Sequence, residues 1–130
     1  MNEVTAARHG ASAEALHSAG ELLRALSAPH RLAIVLELAE GTRCVHELVA
    51  SLGISQSLTS QHLRVLRTSG LVVGARRGKE MAYSLADAHV AHIARDALSH
   101  GSERRSLDHA SSGPNAGFGA QHRDDIAIPG

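Results

Sequence analysis

Only Gly53 and Ile54 separate two amphipathic stretches near the middle of this chain, CVHELVASL at residues 44–52 and SQSLTSQHLRVLRTS at residues 55–69. Glycine adopts the left-handed backbone conformation that ends a helix abruptly, and Ser55 is a residue type that caps the start of one. Within the second stretch Leu58, Leu63, Val65 and Leu66 recur at helical spacing, which predicts a buried side and a helix running to about Ser69. Helix, glycine turn and second helix make a helix-turn-helix.

The flanking sequence extends this pattern. Residues 1–12 read as a flexible arm. From Ser12 onward Leu16, Ala19, Leu22, Leu23 and Leu26 form an apolar stripe on one helix face. SAPHRLAIVLELAEG begins a further helix, with Pro29 suited to its first turn and Gly41 to the position after its end. LVVGARRGKEMAYSL reads as two strands around Arg76-Arg77-Gly78-Lys79, and a last helix is predicted from near Asp87 to about Glu103. The expected fold is mainly α with a small β-hairpin: a winged helix-turn-helix domain over residues 13–103. Residues 104–130, rich in Gly, Ser and Pro without periodicity, read as a disordered tail. Tyr83 and Phe118 are the only aromatic residues, so the core has to be aliphatic.

Composition excludes several classes. Cys44 is the single cysteine, which rules out an internal disulfide and suits a reducing cytoplasm. The longest apolar run, LAIVLELA, contains Glu37 and is too short to span a bilayer, so no membrane role is expected. No nucleophile elbow and no phosphate loop are present, so an enzyme is not expected. Formal net charge is +0, and nothing about the whole chain announces a polyanionic partner. The local distribution does. From Ser55 to Lys79 there are five basic residues (Arg64, Arg67, Arg76, Arg77 and Lys79) and no acidic one. Gln56, Ser57, Thr59, Ser60, Gln61 and His62 are expected to be exposed early in the second helix, with short side chains able to read base edges in a major groove. Arg76, Arg77 and Lys79 at the wing tip would hold phosphates. The scarcity of aromatics argues against stacking on single strands, leaving double-stranded operator DNA as the expected partner.

Ten histidines are the other outlier. Asp87 and His89 stand at the start of the last helix, and His100 and Glu103 at its end. At about 100° and 1.5 Å per residue, His89 and His100 share a face to within about 20° but lie about 16 Å apart along the axis. Ligands of one ion are far closer together than that. Two copies packed antiparallel would bring Asp87 and His89 of one to His100 and Glu103 of the other, twice over by symmetry. Two imidazoles and two carboxylates suit tetrahedral zinc, and a site without a vacant position suits sensing. His92 and Asp96 offer an intrahelical set with His89 that lacks a fourth ligand. A histidine-rich metal buffer is the competing class, and it gives Arg76, Arg77 and Lys79 no task.

The stretches LLRALSAPHRLAIVLEL, RCVHELVASLGISQSLTSQHLRVLRTSGLV and RRGKEMAYSL, in this order and spacing, resemble the ArsR/SmtB family of bacterial metal-sensing repressors over about residues 18–103. Asp87, His89, His100 and Glu103 are similar to the last-helix pattern of its zinc-sensing branch. The resemblance implies a homodimer built through the N- and C-terminal helices, which binds an inverted repeat when metal-free and is released by zinc. It also implies a relay in which metal-bound His100 donates to the backbone carbonyl of Gly70. In members that sense soft metals, thiolates near the third helix work with the N-terminal arm. Here Cys44 and Glu47, with His9 and His17, are the remnants of such a second site, and Cys44 reads better as a small buried residue. Nickel or cobalt is the alternative effector, with His109, His122 or the arm as extra ligands.

Overall fold

The structure, a computed structural model, describes the backbone of residues 9–112 and the side chains of residues 9–108. The arm through Arg8 and the tail from Gly113, with His122, lie outside the described residues.

From Ala13 the described residues form, in order, α1 (Ala13–Ala25), α2 (Pro29–Ala39), β1 (Arg43–Cys44), α3 (Val45–Leu52), α4 (Gln56–Thr68), β2 (Val72–Arg77), β3 (Glu80–Leu85) and α5 (Ala88–Ser112). Ser55 caps α4 as expected, and Ser12 does the same for α1. The Ser12 Oγ accepts the Ala15 N–H at 3.0 Å and the Ser55 Oγ accepts the Leu58 N–H at 3.0 Å. Each satisfies one backbone donor that a helix start leaves free. Pro29 opens α2. Gly53, at φ 72°, ends α3 by donating its N–H to the Val49 carbonyl at 2.9 Å. A side chain at 53 would strain that conformation and misalign the two helices it joins.

The sheet has the order β1–β3–β2, all antiparallel. Its hairpin matches the expected wing, with Arg77 opposite Glu80 across Gly78-Lys79. The third strand is an addition. Arg43 and Cys44 pair with Tyr83 and Ala82 along the free edge of β3. Two residues carry no alternation that a sequence pattern can reveal, so only the sheet edge makes them a strand.

The core is aliphatic. Ile34, Val35, Leu48, Leu63, Leu66, Leu71 and Val72 are all under 2 % exposed, drawn from α2, α3, α4 and the start of the wing, and Tyr83 is the one aromatic beside them. Helix α5 adds Val90, Ala91 and Ala94 and packs on α2 and β3. Beyond Ala94 every described side chain of α5 is exposed. The helix nevertheless runs nine residues past the expected end at Glu103, into sequence read as tail, because Arg104–Ser112 contains neither Gly nor Pro. The α1 stripe is likewise only partly covered: Ala25 and Leu26 are buried, while Leu16 and Leu23 are 37 % and 56 % exposed.

Gly74 faces Tyr83 across the hairpin, and a Cβ there would lie 3.0 Å from both Tyr83 Cε1 and Met81 Cε. Gly74→Val is therefore expected to destabilise the domain by roughly 1–3 kcal/mol through overpacking, despite its better strand propensity. A thermal or urea midpoint equal to wild type would show that Tyr83 yields without cost.

Candidate DNA interface and metal-ligand face

Helix α4 divides into two sides. At about 100° per residue, Gln56, Ser57, Ser60, Gln61, Arg64 and Arg67 fall within an arc of about 140°, and all six are exposed. Their hydroxyls, amides and guanidinium groups form a continuous polar and cationic strip that no acidic residue interrupts. Two expected readers lie elsewhere. Thr59 is 0 % exposed, and its Oγ1 donates to the Ser55 carbonyl at 2.8 Å inside the first turn. It belongs to the core stripe Thr59–Leu63–Leu66, whose i, i+4, i+7 spacing is legible in the sequence once Thr59 is allowed as a core residue. His62 is half-buried and turns toward α2, where its ring meets that of His30 edge to face at 5.5 Å between centroids. Val65, expected inside, is 36 % exposed.

Arg76, Arg77 and Lys79 are exposed at the tip of the wing, with Gly78 at φ 65° making the reversal. A polar contact ties the wing to the helix-turn-helix: His46 Nδ1 on α3 lies 3.0 Å from Glu80 Oε1. Cys44 sits behind that pair and is 6 % exposed. A hydrogen bond to the Glu80 carboxylate, then burial, then the negative charges of Glu80 and Glu47 push its thiol up, against a smaller opposing effect of Arg77. Glu47 accepts the Cys44 backbone N–H at 2.7 Å, so its carboxylate serves the start of α3. A thiol held protonated is a poor metal ligand and a poor nucleophile. His17 neighbours only Glu21, at 3.8 Å, and His9 opens the described chain. These four residues make no common site here: among the described residues no group of three or more His, Cys, Asp or Glu is placed to hold a metal ion.

On α5 the chemistry-bearing residues point away from the chain. Asp87 Oδ1 accepts the N–H of His89 at 2.9 Å and of Val90 at 3.3 Å, which caps the helix. The same oxygen lies 3.5 Å from His89 Nδ1, and the two side chains are 57 % and 88 % exposed. A carboxylate and an imidazole thus stand side by side, facing out. His100 and Glu103 are exposed on the same helix, as are His92 and Asp96. Along the helix His89, Asp96, His100 and Glu103 keep within about 60° of one another, roughly opposite Val90, Ala91 and Ala94. Gly70, at φ 78°, follows the end of α4 and donates its N–H to the Arg67 carbonyl at 3.0 Å.

The cap and the ligand roles separate experimentally. With chelator present, Asp87→Ala is expected to lower stability by about 0.5–2 kcal/mol, the usual value of an N-cap. His100→Ala, an exposed change, is expected to stay within about 0.5 kcal/mol of wild type. Thermal unfolding reads both, and equal losses would mean that Asp87 is not the cap.

Residues 28–73, spanning α2 to the start of the wing, match the model of the bacterial regulatory protein, arsR family. Over 90 residues the chain is 58 % identical to the HTH-type transcriptional repressor SmtB of Mycobacterium tuberculosis, covering 69 % of this chain and 67 % of that protein. The fold is similar to the transcriptional repressor BigR of Xylella fastidiosa, with TM-score 0.60 and 38 % identity over 65 % of this chain and 86 % of that one. It is also similar to a homodimeric winged helix-turn-helix DNA-binding domain of Mycobacterium bovis, with TM-score 0.62 and 28 % identity over 68 % and 82 % of the two chains. With its helix-turn-helix, wing and exposed α4 strip, the chain belongs to the ArsR/SmtB family of winged helix-turn-helix transcriptional repressors.

Proposed function

We propose that this repressor answers to a metal ion: a homodimer holds an inverted-repeat operator when metal-free and lets it go when zinc is held between the last helices of the two subunits. One observation carries this reading. Asp87 and His89 at one end of α5, and His100 and Glu103 at the other, are exposed on the side of the helix that its own core leaves free. About 16 Å of helix axis separates His89 from His100, so one chain holds two half-sites and needs a second copy to complete either. The described side chains of α5 beyond Ala94 are all exposed, and a partner would give that length something to lie on. The relative from Mycobacterium bovis is a homodimer, which supports the same assembly here.

The donor set fits the ion. Two imidazole nitrogens and two carboxylate oxygens fill a tetrahedral zinc shell without a vacant position, as a structural or sensory site requires. Bound zinc would supply a fixed tie between two helices. The chain's own residues do the rest. Gln56, Ser57, Ser60 and Gln61 offer donors and acceptors to base edges, while Arg64, Arg67, Arg76, Arg77 and Lys79 neutralise phosphates. Twin reading heads suit half-sites about one helical turn apart. If zinc favours an orientation of the subunits that DNA disfavours, each weakens the other by the same free energy. His100 is the residue to pass that state on, by donating its remaining ring N–H to the Gly70 carbonyl beyond the end of α4.

The test is a binding titration on an inverted-repeat operator, with chelator and with zinc. Wild type is expected to release DNA with zinc, and His100→Ala to bind with chelator and stay bound with zinc. Release of both at the same zinc concentration would overturn the site. Arg77→Ala is expected to weaken binding across all sequences and to reduce the salt slope by about one. An unchanged slope would remove Arg77 from the phosphate contacts.

A further inference from the structure

Arg31 does more than its exposure suggests. Its Nε donates to the carbonyl of Ala25, the last residue of α1, which satisfies one of the acceptors a helix end leaves free. Its Nη1 lies 3.4 Å from Nδ1 of His62, on the side of α4 roughly opposite the reading strip. One guanidinium thus joins the end of α1, the first turn of α2 and the middle of the recognition helix. A guanidinium only donates. The contact therefore requires a bare Nδ1 on His62, with the single ring hydrogen on Nε2.

We propose that Arg31 and neutral His62 are a positioning pair that seats the recognition helix on the body of the domain, so that protonating His62 unseats α4 and weakens operator binding. A proton on Nδ1 would remove the acceptor and set two cations face to face. Among the described residues no carboxylate is paired with His62. From α2, His62 meets Arg31 and His30; on α4 itself there is no acidic residue. From α1, Glu21 and Arg24 border the recess beside Arg31, and Glu21 is already paired with Arg24 at 2.7 Å. The positive end of α2 acts in the same sense. Burial first, then Arg31 and His30, hold the His62 imidazole below its ordinary value. The sign follows. The unfolded chain takes up this proton more readily than the folded one, so the penalty is absent above the ordinary histidine value of 6.5 and grows as pH falls below it. DNA phosphates would not rescue it, because His62 faces away from the strip that meets them. The inference rests on α4 as the reading helix and requires nothing of the metal site.

The test compares wild type, His62→Gln and His62→Leu between pH 8 and pH 5, all with chelator. Glutamine keeps an oxygen acceptor for Arg31 and cannot titrate; leucine keeps bulk and offers no acceptor. At pH 8, His62→Gln is expected to bind the operator as wild type does, and His62→Leu on the order of tenfold more weakly, about the worth of one hydrogen bond to a charged group. As pH falls below 6.5, wild type is expected to lose affinity relative to His62→Gln until it approaches His62→Leu. Thermal midpoints, read without DNA, are expected to show the same divergence. The comparison with His62→Gln removes the other histidines from the difference. Parallel pH profiles for wild type and His62→Gln in the thermal midpoints would overturn the proposal. Divergent midpoints with no operator binding by any variant would instead uphold the pair and overturn the reading role of α4.

Discussion

Helix α5 is fastened to the core of its own chain by one short patch, Val90, Ala91 and Ala94 with half-buried Ile93 beside them, and beyond Ala94 all its described side chains are exposed. The rest of the architecture depends on that constraint. Small side chains at 91 and 94 let the helix lie close on α2 and β3, which fixes the direction in which it leaves the domain. Its opposite face and its second half are then left to solvent. His100 and Glu103 lie roughly opposite that patch, so the helix presents them outward. All four candidate ligands are exposed, and Leu98 and Leu107 remain uncovered at 55 % and 69 % exposure.

The same division of labour appears in α4. Thr59, Leu63 and Leu66 hold the helix to the core, and the opposite arc carries every group suited to DNA. Neither helix is held to the core by its candidate site residues. Stability and recognition are thus carried by different side chains, and the surface residues are free to differ without harm to the core. The exceptions are Asp87, which caps α5 with the carboxylate it would lend to a metal, and Arg31 with His62, which work from behind the reading face.

Polar ties supplement the core between segments. Arg31 links α1, α2 and α4; His46 and Glu80 link α3 to the wing; Glu47 closes the start of α3. These contacts set where the reading head and the wing stand relative to each other, which decides whether both meet one stretch of DNA. Cys44 belongs to this framework. Its thiol is held protonated beside Glu80, and the paired thiolates of a soft-metal site have no counterpart around it.

The helices, their caps and the wing were legible in the sequence because each follows from local chemistry. Ser12, Ser55, Pro29 and Gly53 act within a turn of their own positions, and aliphatic spacing repeats over a few residues. The proposal for residues 87, 89, 100 and 103 draws on the same kind of local reasoning, since a helix converts sequence spacing directly into distance. Three things were decided only by the folded chain. Arg43 and Cys44 become a strand because β3 offers them an edge. His62 turns toward α2 and Thr59 is buried because the body against which α4 packs lies on their side; the spacing of Thr59 with Leu63 and Leu66 hints at this, but the polar side chains of Thr59 and His62 hide it. Finally, α5 is buried only as far as Ala94, because the surface of α2 and β3 available to it ends there. Periodicity states which residues share a face; only the packing of one element on another states which face is covered.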